Sequence, residues 1–198
     1  MSLSPGETLC AHPPQPWYAL YTRHQHEKTV SNILENKGFH TFLPLYNVKR
    51  RWKDRNKSIS LPLFPCYVFL CGDLERRLDV LVTPGVNRFV EVAGQPARIA
   101  ESEIRMIREA IERKARIEPY PFLKSGDWVR VRSGPLEGFE GILVRQKKGS
   151  RLVLAVELLG KAAAVEVDLS DVEAVSKIPS MMGWGALAQT APAHHLLA

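Results

Sequence analysis

The 198-residue chain lacks several features that would assign it to a class at once. No apolar run approaches the roughly 18 residues that a membrane-spanning helix needs. Residues 1–16 are rich in proline and have no apolar signal-peptide core, so they predict a disordered N-terminal tail. Cys10, Cys66 and Cys71 show neither a CxxC spacing nor a disulfide framework, which favours free thiols in a reducing cytoplasm.

The residue patterns of enzymes are missing as well. We find no paired carboxylates, no Ser/His/Asp set and no phosphate-binding loop, so we predict that the chain is not an enzyme and needs no cofactor. His24, His26 and Glu27 are close in sequence, but their spacing is not the i, i+4 spacing of a helical zinc site. The sequence therefore predicts no metal site.

Charge is the first positive feature. The formal net charge is +6 and the isoelectric point is about 9.3, which suits a nucleic-acid partner and equally suits an ordinary solvated surface. The segment 49–57 carries six basic residues against one acidic residue. Repulsion within such a run is offset best by a polyanion, and Trp52 adds a stacking surface. A solvated loop of like charges is the alternative.

Hydrophobic periodicity predicts an α+β sandwich, in which helices cover an antiparallel sheet. The predicted strands are Trp17–Thr22, 39–51, 58–70 and 86–92. A first helix buries Val30, Ile33 and Leu34 and ends at Gly38. The other helices span 73–83, with Leu74, Leu78 and Leu81 inward, and 101–113, with Ile104, Ile107 and Ile111 inward.

The C-terminal half has a different pattern. Val129 and Val131 alternate with Arg130 and Arg132, as in a half-buried strand. A turn with Gly134, Gly138 and Gly141 follows, and we expect these glycines to supply positive φ angles. Residues 116–122, with two prolines, predict a linker, 123–175 a small all-β barrel, and 176–198 a disordered tail.

Four motifs together resemble the NusG family of transcription elongation factors. They are Trp17-Tyr18-Ala19-Leu20-Tyr21, Phe64-Pro65-Cys66-Tyr67-Val68-Phe69, Thr83-Pro84-Gly85-Val86, and the 124–175 segment, which is similar to a KOW motif. The resemblance implies an NGN domain over 17–115, the linker over 116–122, and an SH3-like KOW barrel over 123–175. The basic hairpin and the Leu-Phe-Pro-x-Tyr-Val-Phe strand resemble the specialised, operon-directed paralogues (RfaH-like and UpxY-like antiterminators).

The resemblance also implies partners. The NGN domain of such factors grips the clamp helices of the largest subunit of bacterial RNA polymerase and suppresses pausing or termination. The KOW domain recruits either the termination factor Rho or a small-subunit ribosomal protein. We expect a cytoplasmic monomer with no membrane contact. The alternative is a ribosome-associated RNA-binding KOW protein, since such barrels also occur in ribosomal proteins.

The resemblance assigns residues to each contact, with a simpler alternative for each. The polymerase contact falls on Tyr21, Phe64, Tyr67, Phe69 and Phe89, which are otherwise core rings. Cys66 stands where the family has Gly or Asn. Arg23, His24, Gln25 and Lys28 would meet the non-template strand of the transcription bubble, or are ordinary polar residues at a helix start.

Two further segments follow the same resemblance. The hairpin would lie near upstream DNA through Lys49, Arg50, Arg51, Trp52, Lys53, Arg55 and Lys57. The second partner would bind Leu158, Leu159, Gly160 and Lys161, unless the two leucines cap the barrel core. The family has an aromatic residue where Leu159 stands and Arg where Lys161 stands. The sequence leaves open whether the two domains contact each other.

Overall fold

The computed structural model of the chain describes residues 15–52, 55–120, 127–146 and 149–175. Its first part contains β1 (Trp17–Thr22), α1 (Glu27–Asn36), β2 (His40–Phe42), β3 (Leu45–Trp52), β4 (Arg55–Pro62), β5 (Tyr67–Cys71), α2 (Arg77–Leu81), β6 (Val86–Phe89), β7 (Glu91–Val92), β8 (Gln95–Pro96), β9 (Arg98–Ile99) and α3 (Glu101–Glu112). Its second part contains β10 (Ile117–Tyr120), β11 (Asp127–Val131), β12 (Glu140–Gln146), β13 (Gly149–Val156), β14 (Lys161–Val167) and β15 (Val172–Ala174), with 3-10 turns at Glu157–Leu159 and Leu169–Asp171. Helices and antiparallel strands together confirm the α+β class.

The first sheet has the order β2-β5-β1-β6, and β9 also pairs with β1. Successive side chains of a strand lie on opposite faces of its sheet. In β1, Tyr18 and Leu20 therefore lie on one face and Ala19 lies on the other. Tyr18 and Leu20 pack with Val30 and Leu34 of α1, which lie one helical turn apart. The sheet is therefore apolar on both faces.

The second sheet has the order β10-β14-β13-β12-β11-β15. Val129 and Val131 are buried and Arg130 is exposed, as the alternation predicts. Gly134 and Gly138 have the expected positive φ angles, 88° and 85°. Gly141 does not belong with them: a Cβ there would lie 2.4 Å from the carbonyl oxygen of Val153, so close strand packing requires this glycine.

One apolar cluster joins the two parts of the chain, and we call it the joint core. It includes Ala19 and Phe69 of the first sheet, Ile107 of α3, and Leu152 and Leu154 of β13. α3 contacts β13 directly. At its end, Arg113 Nη1 donates to the carbonyl oxygen of Pro135 at 2.7 Å, and its guanidinium lies 5.4 Å from the centroid of the Phe139 ring. The third helix thus packs between two sheets.

Several predicted elements need correction. The predicted strands 39–51 and 58–70 are each two strands, because the chain leaves the first sheet to form the β3–β4 hairpin. The helix predicted over 73–83 spans only Arg77–Leu81. Leu78 and Leu81, predicted to face inward, are 67% and 37% exposed, and Val80 is the buried residue of this helix.

The segment 116–122, predicted to be a linker, also contains structure. Ile117–Tyr120 forms β10, which pairs with β14 at the edge of the second sheet. Pro119 and Pro121 argue against a strand here, but an edge strand tolerates proline because one side of its backbone needs no hydrogen-bond partner. Ion pairs join Glu118 to Arg151 of β13 and Arg116 to Glu166 of β14, which links β10 to both strands. The predicted tails lie outside the described residues, apart from residues 15 and 16.

Candidate functional site

A pair of tyrosines lies at the end of the two central strands of the first sheet. Tyr21 of β1 and Tyr67 of β5 are direct cross-strand partners. Their rings are 5.5 Å apart at 64°, an edge-to-face contact. Arg88 of β6 is paired with Tyr21, and its guanidinium lies 5.4 Å from the centroid of that ring. We call these three residues the tyrosine patch; both rings are half-buried and Arg88 is exposed.

The three predicted phenylalanines do not form a surface. Phe64, Phe69 and Phe89 are 2%, 0% and 2% exposed. Phe64 and Phe69 meet edge-to-face at 6.0 Å in the joint core, whereas Phe89 packs against Tyr18 on the α1 side. All three rings are buried because both faces of the sheet are covered, so they form no exposed surface in this structure, and their contact with polymerase stays a prediction.

The environment of Tyr67 affects its ionisation. Burial raises the pKa of the Tyr67 hydroxyl, Tyr21 and Cys66 raise it further, and Arg88 opposes them. The phenol therefore stays protonated and can donate a hydrogen bond across the neutral pH range.

Beside the patch, a turn before β5 is held to the start of α1. The Cys66 N–H donates to Glu27 Oε1 at 2.7 Å, and the Cys66 carbonyl accepts from Thr22 N at 2.9 Å. Glu27 is only 3% exposed. Cys66 Sγ lies 3.7 Å from His24 Nδ1, and burial and Glu27 raise the pKa of the thiol while Lys161 lowers it. Sequence reasoning missed the Glu27–Cys66 hydrogen bond, because the two residues are 39 positions apart.

Replacing Cys66 with glycine is expected to stabilise the protein by about 0.5–1 kcal/mol. Cys66 has φ +68°, where a side chain strains the backbone and glycine does not, and both backbone hydrogen bonds of the turn remain. Urea denaturation in the presence of a chelator measures the effect. Cys71→Gly is the matched control: Cys71 lies in β5, so glycine there should destabilise. A lower stability for Cys66→Gly would contradict the strain argument.

The predicted DNA-reading residues fall on a turn and the first helix. Arg23, His24, Gln25 and Lys28 are all exposed. Arg23 N donates to the Gly85 carbonyl at 2.8 Å, which fixes the turn to the loop before β6. Lys28 Nζ donates to the Ser60 carbonyl at 2.7 Å, which ties α1 to the hairpin. The structure thus brings this turn and the hairpin together.

The hairpin itself is a separate two-stranded sheet of β3 and β4. Its register places Arg50 opposite Lys57 and Trp52 opposite Arg55. Like charges directly opposite each other destabilise a strand pair. Lys53 lies outside the described residues, and for Lys49, Arg50, Arg51, Trp52, Arg55 and Lys57 the structure describes the backbone alone.

The predicted partner loop of the second sheet sits against the joint core. Leu158 and Leu159 form part of a 3-10 turn, are half-buried and pack on that cluster, as does Tyr67. Gly160 has φ +55° and is exposed, and Lys161 is exposed. The charge of Lys161 acts on the Cys66 thiol and lowers its pKa, against the larger effects of burial and Glu27.

Comparison with known proteins then identifies the family. A family model described as "Transcription termination factor nusG" matches residues 15–108. The transcription termination/antitermination protein NusG of Thermus thermophilus is 30% identical over 178 residues, covering 79% of this chain and 96% of that protein. This chain belongs to the NusG family. The NusG protein of Helicobacter pylori J99 is 27% identical over 172 residues, covering 80% and 98% of the two chains.

A solved structure agrees with the NusG assignment. The chain matches "Domain interaction in Thermotoga maritima NusG" at a TM-score of 0.50 and 26% identity, covering 80% of this chain and 96% of that one. The chain is thus a member of a family of transcription termination/antitermination factors, as the sequence resemblance predicted. The family-model match contains the tyrosine patch, the 23–28 turn and the hairpin. Among the described residues, no helix is long and apolar enough to cross a membrane.

Proposed function

We propose that this NusG-family chain is a transcription elongation and antitermination factor whose first domain, an NGN domain, binds the clamp helices of bacterial RNA polymerase. The tyrosine patch carries the proposal. It is the part of the predicted aromatic contact that stays at the surface, with Tyr21 and Tyr67 half-buried and Arg88 exposed beside them.

The patch suits a partner helix. Tyrosine rings bury large areas with little loss of rotamer entropy, which is why tyrosine is frequent at the energetic centres of interfaces. The ring pair is fixed before binding by its edge-to-face contact, and the Arg88 guanidinium can meet an acidic side chain of the partner. A ligand that prefers the closed clamp shifts polymerase away from paused states through differential binding, with no bond made or broken.

The hairpin and the 23–28 turn are proposed to contact DNA. The Lys28–Ser60 hydrogen bond holds the two segments next to each other, so upstream DNA and the exposed non-template strand could be contacted from one side of the domain. Phosphates would neutralise the like charges of the 49–57 run. Selective contacts to unpaired bases through His24 and Gln25 would direct the factor to particular operons, as in the specialised paralogues.

The second sheet is proposed to act as a KOW barrel that recruits a second partner, either Rho or a small-subunit ribosomal protein. Leu158 and Leu159 supply the apolar contact, and Gly160 permits the turn that presents Lys161. The two leucines pack on the joint core, so a partner that takes them must first remove them from it.

Co-migration of the full chain with a bacterial RNA polymerase elongation complex tests the proposal, with the isolated clamp-helix fragment as competitor. Binding that the fragment abolishes is the expected result. Binding that the fragment leaves intact would place the contact elsewhere on polymerase. Absence of binding, together with retained binding to ribosomes, would instead support a ribosome-associated RNA-binding protein.

Replacing Arg50, Arg55 and Lys57 with glutamine is expected to flatten the salt dependence of binding to the elongation complex. Each phosphate contact adds about 0.9 to the slope of log affinity against log salt, so the triple variant should lower the slope by up to about 2.7. The measurement is a salt titration of binding. The control replaces Arg77, Arg98 and Arg105, which are exposed and outside the hairpin and the 23–28 turn. Equal slopes for the two triple variants would mean that the hairpin touches no phosphate.

A further inference from the structure

Three residues with metal-binding side chains meet at the turn before β5. His24, Glu27 and Cys66 each offer one ligand atom, and these atoms lie within 4.8 Å of one another. His24 belongs to the turn after β1, Glu27 begins α1, and Cys66 precedes β5. The sequence prediction of no metal site considered only His24, His26 and Glu27, because nothing along the chain places Cys66 beside them.

The ligand set and its spacing match one class of ion. A thiolate, an imidazole and a carboxylate are the three ligand types of zinc, which binds tetrahedrally. With Zn–S of about 2.3 Å and Zn–N of about 2.0 Å, sulfur and nitrogen on neighbouring tetrahedral positions lie about 3.5 Å apart. The distance from Cys66 Sγ to His24 Nδ1 is 3.7 Å. Only small movements of the His24 and Cys66 side chains would therefore be needed for both to bind one zinc ion.

The supporting contacts hold two of the ligands in place. The Cys66 turn is fixed on both sides by its backbone bonds to Glu27 and Thr22. Glu27 is 3% exposed, and a carboxylate has two oxygens, so it can keep the Cys66 N–H on Oε1 and offer the other oxygen to a metal. Thr22 adds a buried hydroxyl that has no hydrogen-bond partner among the described residues.

We propose that His24, Glu27 and Cys66 form a site for one zinc ion, with solvent at the fourth position. His24 is exposed, so the fourth position opens to water rather than to the core. Binding would clamp the start of α1 to the turn before β5 and engage His24, one of the residues proposed to read DNA.

Cobalt titration of the untagged full chain tests the site, because a cobalt–thiolate bond gives a charge-transfer absorption that nitrogen and oxygen ligands do not. The starting protein is Cys10→Ser/Cys71→Ser, in which Cys66 is the only cysteine. We expect one cobalt ion per chain in the thiolate band, and loss of that band on addition of zinc. Glycine is compatible with the φ of Cys66, so Cys66→Gly should fold and lose the band.

Two histidine variants complete the test. Removal of residues that only support a ligand costs about 10–100-fold in metal affinity, so loss of a ligand in His24→Ala should cost at least about 100-fold. His26 is an exposed histidine of the same turn and lies outside the cluster, so the His26→Ala variant should bind cobalt as the parent does. The proposal is overturned if the parent shows no thiolate band, if Cys66→Gly keeps it, or if the two histidine variants behave alike. In those cases Cys66 and His24 share only a hydrogen bond.

Discussion

Replacing both Tyr21 and Tyr67 with alanine is expected to weaken binding to the polymerase elongation complex by about 100-fold or more. Tyrosines at the centre of an interface each contribute about 2 kcal/mol or more, which is about 30-fold, and adjacent residues do not add fully. The two rings are direct cross-strand partners, so their loss removes the whole aromatic part of the tyrosine patch. Titration of the labelled chain with the elongation complex gives the affinity ratio.

Two controls separate this result from a loss of fold. Tyr120→Ala removes a half-buried tyrosine from β10, in the second sheet, and should keep the parental affinity. Phenylalanine at positions 21 and 67 keeps the rings, so it should recover most of the affinity. Parental binding by the double alanine variant would show that the tyrosine patch is not the polymerase contact.

Regular elements with a clear period were predictable from the sequence. The short apolar, aromatic run predicts a strand over Trp17–Thr22, and β1 has those bounds, because β-branched and aromatic side chains fit a half-buried pleated surface. The apolar spacing predicts a helix over 101–113, and α3 spans Glu101–Glu112 with Ile104 and Ile107 buried, as that spacing requires. Gly38 ends α1 with φ +82°, the left-handed conformation that favours glycine after a helix.

The candidate site was less predictable because burial depends on what packs against a strand. Alternation along β5 correctly places Tyr67 and Phe69 on one face, yet Phe69 is fully buried and Tyr67 is half-buried. The difference comes from α3 and from the other residues of the joint core, which are distant in sequence. The Cys66–Glu27 hydrogen bond and the pairing of Tyr21 with Arg88 are also long-range contacts that no local pattern encodes.

The joint core links the two proposed binding surfaces. Tyr67 of the tyrosine patch and Leu158 of the partner loop pack on the same cluster, and Lys161 acts on the thiol of Cys66, the neighbour of Tyr67. Apolar area that is buried inside the chain is not available to a partner, so any contact that needs all of Tyr67 or Leu158 competes with this packing. Affinity measured on the full chain therefore includes the free energy of that packing.

Phe69→Ala is expected to destabilise the protein by about 3–5 kcal/mol, the cost of removing a fully buried aromatic ring and leaving a cavity. Phe69 is 0% exposed and touches Phe42 and Phe64, with ring centroids at 6.1 and 6.0 Å. Since a domain is stable by only about 5–15 kcal/mol, the variant should lie near the limit of folding. Urea denaturation followed by circular dichroism measures the loss.

Tyr67→Ala is the control that separates the effect of burial from the effect of truncating any aromatic residue of β5. Both residues lie on β5 and face the same side of the sheet, but the half-buried Tyr67 has less to lose on truncation. Phe69→Leu keeps most of the buried volume and should cost less than Phe69→Ala. Equal stability of Tyr67→Ala and Phe69→Ala would mean that Phe69 is not a core residue. If the two variants are equally stable, weaker polymerase binding by Phe69→Ala would indicate a surface contact of Phe69. If Phe69→Ala is the less stable variant, as this structure predicts, weaker binding would reflect loss of the sheet that holds the tyrosine patch.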